Sequence, residues 1–274
     1  MDSKDIVISR ALVAFGVTAA LTALAHANVP TSIWRLDSTG GSATTLTEYS
    51  SIATLATGAD TGVTAAISPH ISNNQYRYVF SDYKPNTPGY IYLTNLDSSG
   101  EHTVSITRYV VDPSDPLGNF RTNTGGTTFN LSNSWSKNDD FYCCDGWFYR
   151  NSSSLEGSNA VNIYASFEHL LNDMFATTWT FSTPYSFNDR FFGFGETVYR
   201  TNTSGPSGGV TGFSVYEDYL HLVDGVAASV TSTSGVNWSR GDMFIMVPNF
   251  IGVPTPGAAA LVGLTGLMSR RRRI

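Results

Sequence analysis

The sequence predicts an all-β domain built as a small four- or five-bladed β-propeller, with a β-sandwich or jelly roll as the alternative arrangement of the same strands. Three observations lead there. Short β-branched and aromatic runs alternate with turn clusters, as in Gly89-Tyr90-Ile91-Tyr92-Leu93-Thr94-Asn95, and helical periodicity is nearly absent. A polar lead-in followed by an aromatic or apolar strand occurs four times: Asn73-Asn74-Gln75-Tyr76-Arg77-Tyr78, Asp139-Asp140-Phe141-Tyr142, Asp189-Arg190-Phe191-Phe192 and Gly241-Asp242-Met243-Phe244. Counted at Tyr76, Phe141, Phe191 and Met243, the copies start 65, 50 and 52 residues apart, a loose period that fits blades of several strands each. The ends of the body are also complementary. Ser32-Ile33-Trp34-Arg35-Leu36-Asp37 reads as a second strand lacking its first, and Met243 to Val247 as a first strand lacking its second; pairing them closes a ring.

In chain order, residues 1–27 read as a signal peptide with a signal helix. Lys4 and Arg10 precede the uncharged apolar stretch Ala11 to Leu24, and Ala25-His26-Ala27 supplies small residues at Ala25 and Ala27 for cleavage after Ala27. The stretch is too short to span a bilayer comfortably, since that takes about 20 apolar residues.

Residues 28–250 then form one expected extracellular domain of roughly 220 residues, enough for a full core. In its two middle copies a glycine and a second aromatic strand follow the first: Gly146-Trp147-Phe148-Tyr149-Arg150-Asn151, and Gly195-Glu196-Thr197-Val198-Tyr199-Arg200-Thr201-Asn202. One window, Asn162 to Phe175, admits a helix, although 162–167 also alternates as a strand. The formal charge of the chain is −6, and Arg270, Arg271, Arg272 and Arg273 supply four of its 16 basic groups, so the body is more acidic than the total. No basic stripe crosses it, which excludes nucleic acid as a partner. Two adjacent cysteines, Cys143 and Cys144, exclude a disulfide framework.

Residues 251–274 are a tail. Val253-Pro254-Thr255-Pro256-Gly257 precedes the apolar run Ala258 to Met268, then Ser269 and the four arginines. The prolines hold the chain extended for a processing enzyme, the run fits a short anchor helix, and the arginines stay on the cytoplasmic side of a membrane. Eleven apolar residues are short for a full span, so the anchor is transient.

This layout resembles the PEP-CTERM sorting signal of Gram-negative bacteria, in which a Pro-Glu-Pro motif, a short apolar helix and a basic cluster close the chain. Here Thr255 replaces the central glutamate. The resemblance covers about the last 22 residues and implies two processing partners, signal peptidase and an exosortase-like enzyme. It also implies transient residence in the inner membrane and delivery to the cell surface or extracellular matrix. Within the body, Tyr78-Val79-Phe80-Ser81-Asp82 and the segment from Gly89 to Gly100 look like one degenerate YWTD-type propeller repeat without the signature Trp and Thr.

No constellation in the sequence assigns catalysis, a metal or a cofactor. Gly205-Pro206-Ser207-Gly208-Gly209 matches the string of a hydrolase nucleophile elbow, with His221 and Asp224 downstream, but lies in a loop with no helix after it. Asn95, Asp97, Ser99 and Gly100 resemble half a calcium loop whose twelfth position falls on Ile106, so a hairpin turn between Tyr92 and Val104 is expected. His70, His102, His169 and His221 are scattered, without metal-ligand spacing. Cys143 and Cys144 sit on an aromatic strand, where a regular pleat points one thiol inward and one outward; a disulfide between them is the sharper alternative. Trp135, Tyr142, Trp147, Tyr149, Phe191, Phe192 and Tyr199 can build either a sugar-stacking surface or a core.

The function expected is therefore a non-catalytic adhesion, structural or glycan-contacting module with extracellular polysaccharide as its ligand class. The alternative is an exported hydrolase whose carboxylates Asp82, Asp145 and Glu196, each just after a first strand, meet at one face of a propeller.

Overall fold

A computed structural model describes residues 31–37, 42–72, 76–82, 89–152, 160–182, 185–186, 188–204, 208–233, 236, 238–239 and 241–248. The signal peptide, with Ala25 and Ala27, and the tail, with Val253 to Gly257 and Arg270 to Arg273, lie outside the described residues.

Sixteen strands form four antiparallel sheets of four strands each, the blades of a β-propeller. The first blade joins β1 (Thr31–Leu36), β2 (Ser42–Tyr49) and β3 (Thr64–Ser72) to the last described strand, β16 (Met243–Pro248). The second contains β4 (Tyr76–Ser81), β5 (Tyr90–Leu96), β6 (His102–Val110) and β7 (Thr127–Ser136). The third contains β8 (Asp140–Cys144), β9 (Trp147–Asn151), β10 (Ala160–Tyr164) and β11 (Thr177–Thr180). The fourth contains β12 (Phe191–Phe194), β13 (Thr197–Thr203), β14 (Val210–Tyr216) and β15 (Ser229–Ser232). The count is thus four, and the sandwich is not formed: β16, β4, β8 and β12 contact one another in a ring around one axis.

Ring closure follows the predicted pairing. β16 runs antiparallel to β1, from Thr31 opposite Pro248 to Leu36 opposite Met243. The first strands begin at or within one residue of the four starts read from the sequence.

Each blade carries a short helix between its third and fourth strands: α1 (Ile52–Thr57), α2 (Gly118–Arg121), α3 (Phe167–Leu171) and α4 (Tyr219–Asp224). Ser51, Ser166 and Asp218 cap three of them by accepting a backbone N–H three residues on, and each stands two residues after a buried tyrosine, Tyr49, Tyr164 or Tyr216. A left-handed residue follows each helix: Gly58, Asn123, Asp173 or Gly225. The Asn162–Phe175 window therefore holds both expected structures, a strand to Tyr164 and a helix from Phe167.

The core consists of four apolar clusters, one at each interface between successive blades. An inner strand is packed on both faces, so its alternating side chains enter two different clusters. Cys143 enters the cluster between blades two and three, and Cys144 the one between three and four. This corrects the expectation of one exposed thiol, because both are buried. No disulfide joins them.

The inner strands β8 and β12 approach closely at Gly193. A Cβ there would fall inside van der Waals contact of the Cys143 carbonyl oxygen, so only glycine fits.

Candidate functional site

The antiparallel order gives the ring two unlike faces. Hairpins between first and second strands, all four helices, and both ends of the described chain, Thr31 and Pro248, share one face. The turns leading into the inner strands share the other.

Those turns repeat a motif. Trp135-Ser136-Lys137-Asn138-Asp139, Tyr185-Ser186-x-Asn188-Asp189 and Trp238-Ser239-x-Gly241-Asp242 each fold so that the Asp N–H donates to the Ser carbonyl, at 3.0, 2.9 and 3.0 Å. Each buried aspartate then meets an arginine of the adjacent second strand: Asp139 with Arg150 at 3.6 Å, Asp189 with Arg200 at 2.6 Å, and Asp242 with Arg35 at 2.7 Å. The guanidinium of Arg35 also lies 4.2 Å over the Trp238 ring, and that of Arg150 lies 4.6 Å over Trp135. These arginines are structural. They were legible in the sequence as Asp139 to Arg150 and Asp189 to Arg200, both 11 residues apart, a signal the strand pattern alone does not reveal.

The hairpin and helix face carries a cleft of about 530 Å³ between blades one and two. Trp34, Leu117 and Val247 form its apolar floor, while Glu48, Asp115 and Arg121 stand at its rim. The Pro113 to Pro116 loop closes one side, and Arg121 pairs with Asp115 at 2.7 Å. An apolar floor with a few convergent polar groups is the usual form of a small-ligand or saccharide site. A second cavity of about 450 Å³ lies on blade two, but its polar groups bond to one another: Asn95 donates to Ser105 and Thr107, and Tyr109 donates to Asn123.

Most sequence candidates resolve into structure. Of the seven aromatics, Trp135, Tyr142, Tyr149, Phe191 and Phe192 are buried between blades, Tyr199 is half-buried, and only Trp147 is exposed, so they form core and no sugar-stacking surface. Asp97 accepts from Ser99 Oγ at 2.7 Å and from the Glu101 N–H, closing a hairpin turn. Its carboxyl is held well below the usual range, first by the Ser99 bond. His102 faces Asp97, His169 faces Ser166, and His221 faces Asp218 at 2.7 Å; the side chain of His70 is outside the described residues. The Asp218 bond raises the His221 pKa. Among the described residues, no three His, Cys, Asp or Glu gather into a metal-binding group.

Residues 205–207 of the elbow string lie outside the described residues. His221 and Asp224 on α4 stand at the far end of β14 from Gly208 and Gly209, roughly 20 Å along the strand. Asp82 accepts from the Tyr90 N–H and the Tyr92 O–H, while Asp145 and Glu196 sit exposed in hairpin turns. Beside them Cys144 donates to the Glu196 carbonyl, and burial pushes its thiol up to about 12, which keeps it protonated and inert.

No protein-family model matches the chain, and no curated protein matches it. Among solved structures the chain is similar to Citrobacter koseri AztD, at 7% identity and a TM-score of 0.29, over 74% of this chain and 47% of that one. The similar region thus spans about half of AztD. The propeller assignment rests on strand order and ring closure.

Proposed function

We propose that this protein is an exported, tail-tethered β-propeller of the bacterial envelope that acts as a non-catalytic binding module. The observation that carries the reading is the origin of the tail. It leaves from β16, the innermost strand of its blade, whose six residues are all buried. Tension applied along the axis of that strand loads every hydrogen bond of the β16–β1 ladder together instead of opening them one by one. Signal peptide and sorting motif supply the route, with an exosortase-like enzyme as processing partner.

The cleft between blades one and two favours saccharide contact, with Trp34 beneath and Arg121, Asp115 and Glu48 above. Extracellular polysaccharide is the ligand class that this combination and the route share.

Two measurements test this. In a Gram-negative host with an exosortase, the chain should be recovered from envelope or matrix with a mass lacking residues 1–27, and a chain ending at Phe250 should be released to the medium. Cytoplasmic recovery with an uncut amino terminus overturns the route. For the cleft, Arg121→Ala should weaken retention on polysaccharide from the same culture by about ten-fold, equivalent to about 1.4 kcal/mol, with an unchanged melting temperature. Equal retention overturns the saccharide site.

A further inference from the structure

We infer that the hairpin and helix face of blades three and four is a docking site for the chain's own C-terminal segment, residues 258–273. Three observations meet there. Every large apolar side chain that is exposed among the described residues sits in or beside elements ending at this face of the ring. Six of them belong to blades three and four: Trp147, Met174, Phe175, Leu220, Val226 and Val230. Scattered single residues of this kind need no explanation, but confinement to one face marks a contact surface.

Charge selects the occupant. The stretches 165–177 and 217–230, which build this patch, contain Glu168, Asp173, Glu217, Asp218 and Asp224 and no Lys or Arg; Asp173 pairs with Arg150 at 3.4 Å and Asp218 with His221 at 2.7 Å, so the excess negative charge comes from Glu168, Glu217 and Asp224. The adjoining turns add Asp145 and Glu196. An acidic apolar patch is repelled by an anionic lipid surface and by a second copy of itself. Residues 258–273 present the opposite chemistry, an eleven-residue apolar run followed by Ser269 and four arginines.

The tether reaches. Pro248 ends β16 on this face, and nine residues separate it from Ala258. Ten peptide steps span at most about 35 Å, against a radius of gyration of about 17 Å for a domain of this size. A tether of that length gives an effective concentration in the millimolar range, so a segment binding at about 100 μM as a free peptide is docked in about nine molecules of ten. Docking keeps the apolar run out of water until a membrane takes it, and the two fates compete for the same residues. The proposal does not depend on export, because docking is intramolecular and can be measured on the purified chain.

The test uses the full chain. With Leu220→Cys and Gly263→Cys, dilute protein is expected to close an intramolecular crosslink about ten-fold faster than with Ser98→Cys and Gly263→Cys, whose Ser98 lies on the opposite face. Replacing all four arginines (R270E, R271E, R272E, R273E) is expected to abolish the difference. Amide exchange over 219–224, which needs no cysteine, should be slower in the full chain than in one ending at Phe250. Equal crosslinking at both sites, or equal exchange in both chains, overturns the proposal. Crosslinks between molecules only would assign the patch to a second copy. Vesicles of phosphatidylcholine bound equally by the chain ending at Phe250 would assign it to lipid; either outcome also overturns docking.

Discussion

At one face of the ring, three turns repeat nearly the same residues around a buried charge; at the other, three blades share a helix cap but differ in the loops and apolar positions around it. The repeated turns hold Trp or Tyr, Ser, and an Asp that reaches an arginine on the next strand. The opposite face mixes the tight hairpins Asp145-Gly146 and Gly195-Glu196 with the two chain ends, the Pro113 to Pro116 loop and the apolar positions near α3 and α4. The difference teaches where the ring is held and where it meets other molecules. A buried charge must find its partner in each of these three blades, so the turn chemistry repeats. The loops and exposed apolar positions of a surface that makes one contact on one side have no such reason to repeat.

From this contrast, the largest effects fall on the repeated face. Asp242→Ala leaves Arg35 with the part-exposed Asp37, at 3.2 Å, as its carboxylate partner among the described residues, and should cost about 3–5 kcal/mol in chemical denaturation. A loss below 1 kcal/mol would mean that the turn does not hold the ring. Gly193→Ala, at the axis between the faces, forces β12 away from the Cys143 carbonyl and should cost about 1–3 kcal/mol.

Smaller effects sharpen the other face. Tyr142 and Tyr219 carry buried hydroxyls that meet no hydrogen-bond partner among the described residues, in the interface between blades three and four. Tyr142→Phe removes one such hydroxyl and should raise stability by about 1 kcal/mol; a loss of stability would mean that the hydroxyl is bonded. The smallest effect is a titration at the α4 cap. His221 has a raised pKa, so its pairing with Asp218 stabilises the fold below the ordinary histidine value and fades as pH rises through the folded value. Asp218 is lowered, first by the His221 N–H, so its contribution is present above the ordinary carboxyl value and is lost as pH falls through the folded one. Asp218→Asn should move the His221 NMR titration down towards 6.5, and an unmoved titration would show that the pair is not formed.

Much of the frame was legible. Phe141, Phe191 and Met243 announced their inner strands because a polar turn before a β-branched or aromatic run is a local signal. The helices were harder. Tyr49-x-Ser51, Tyr164-x-Ser166 and Tyr216-x-Asp218 share a cap pattern, yet helices of six residues or fewer carry too little periodicity to show. The cleft was invisible, because Trp34, Leu117 and Val247 come from three distant parts of the chain and read separately as core.

The sequence by itself determined that the body is strand-rich, where its inner strands begin, and that its two ends are halves of one blade. Alternation, turn residues and missing partners are all properties of short segments. Only the tertiary structure decided that the blades number four, that both thiols and five of seven candidate aromatics are buried, and which aspartate meets which arginine. The physical reason lies in the inner strands. Each packs on both faces against blades some 50 residues away or more, so inside and outside cannot be read from alternation along one strand.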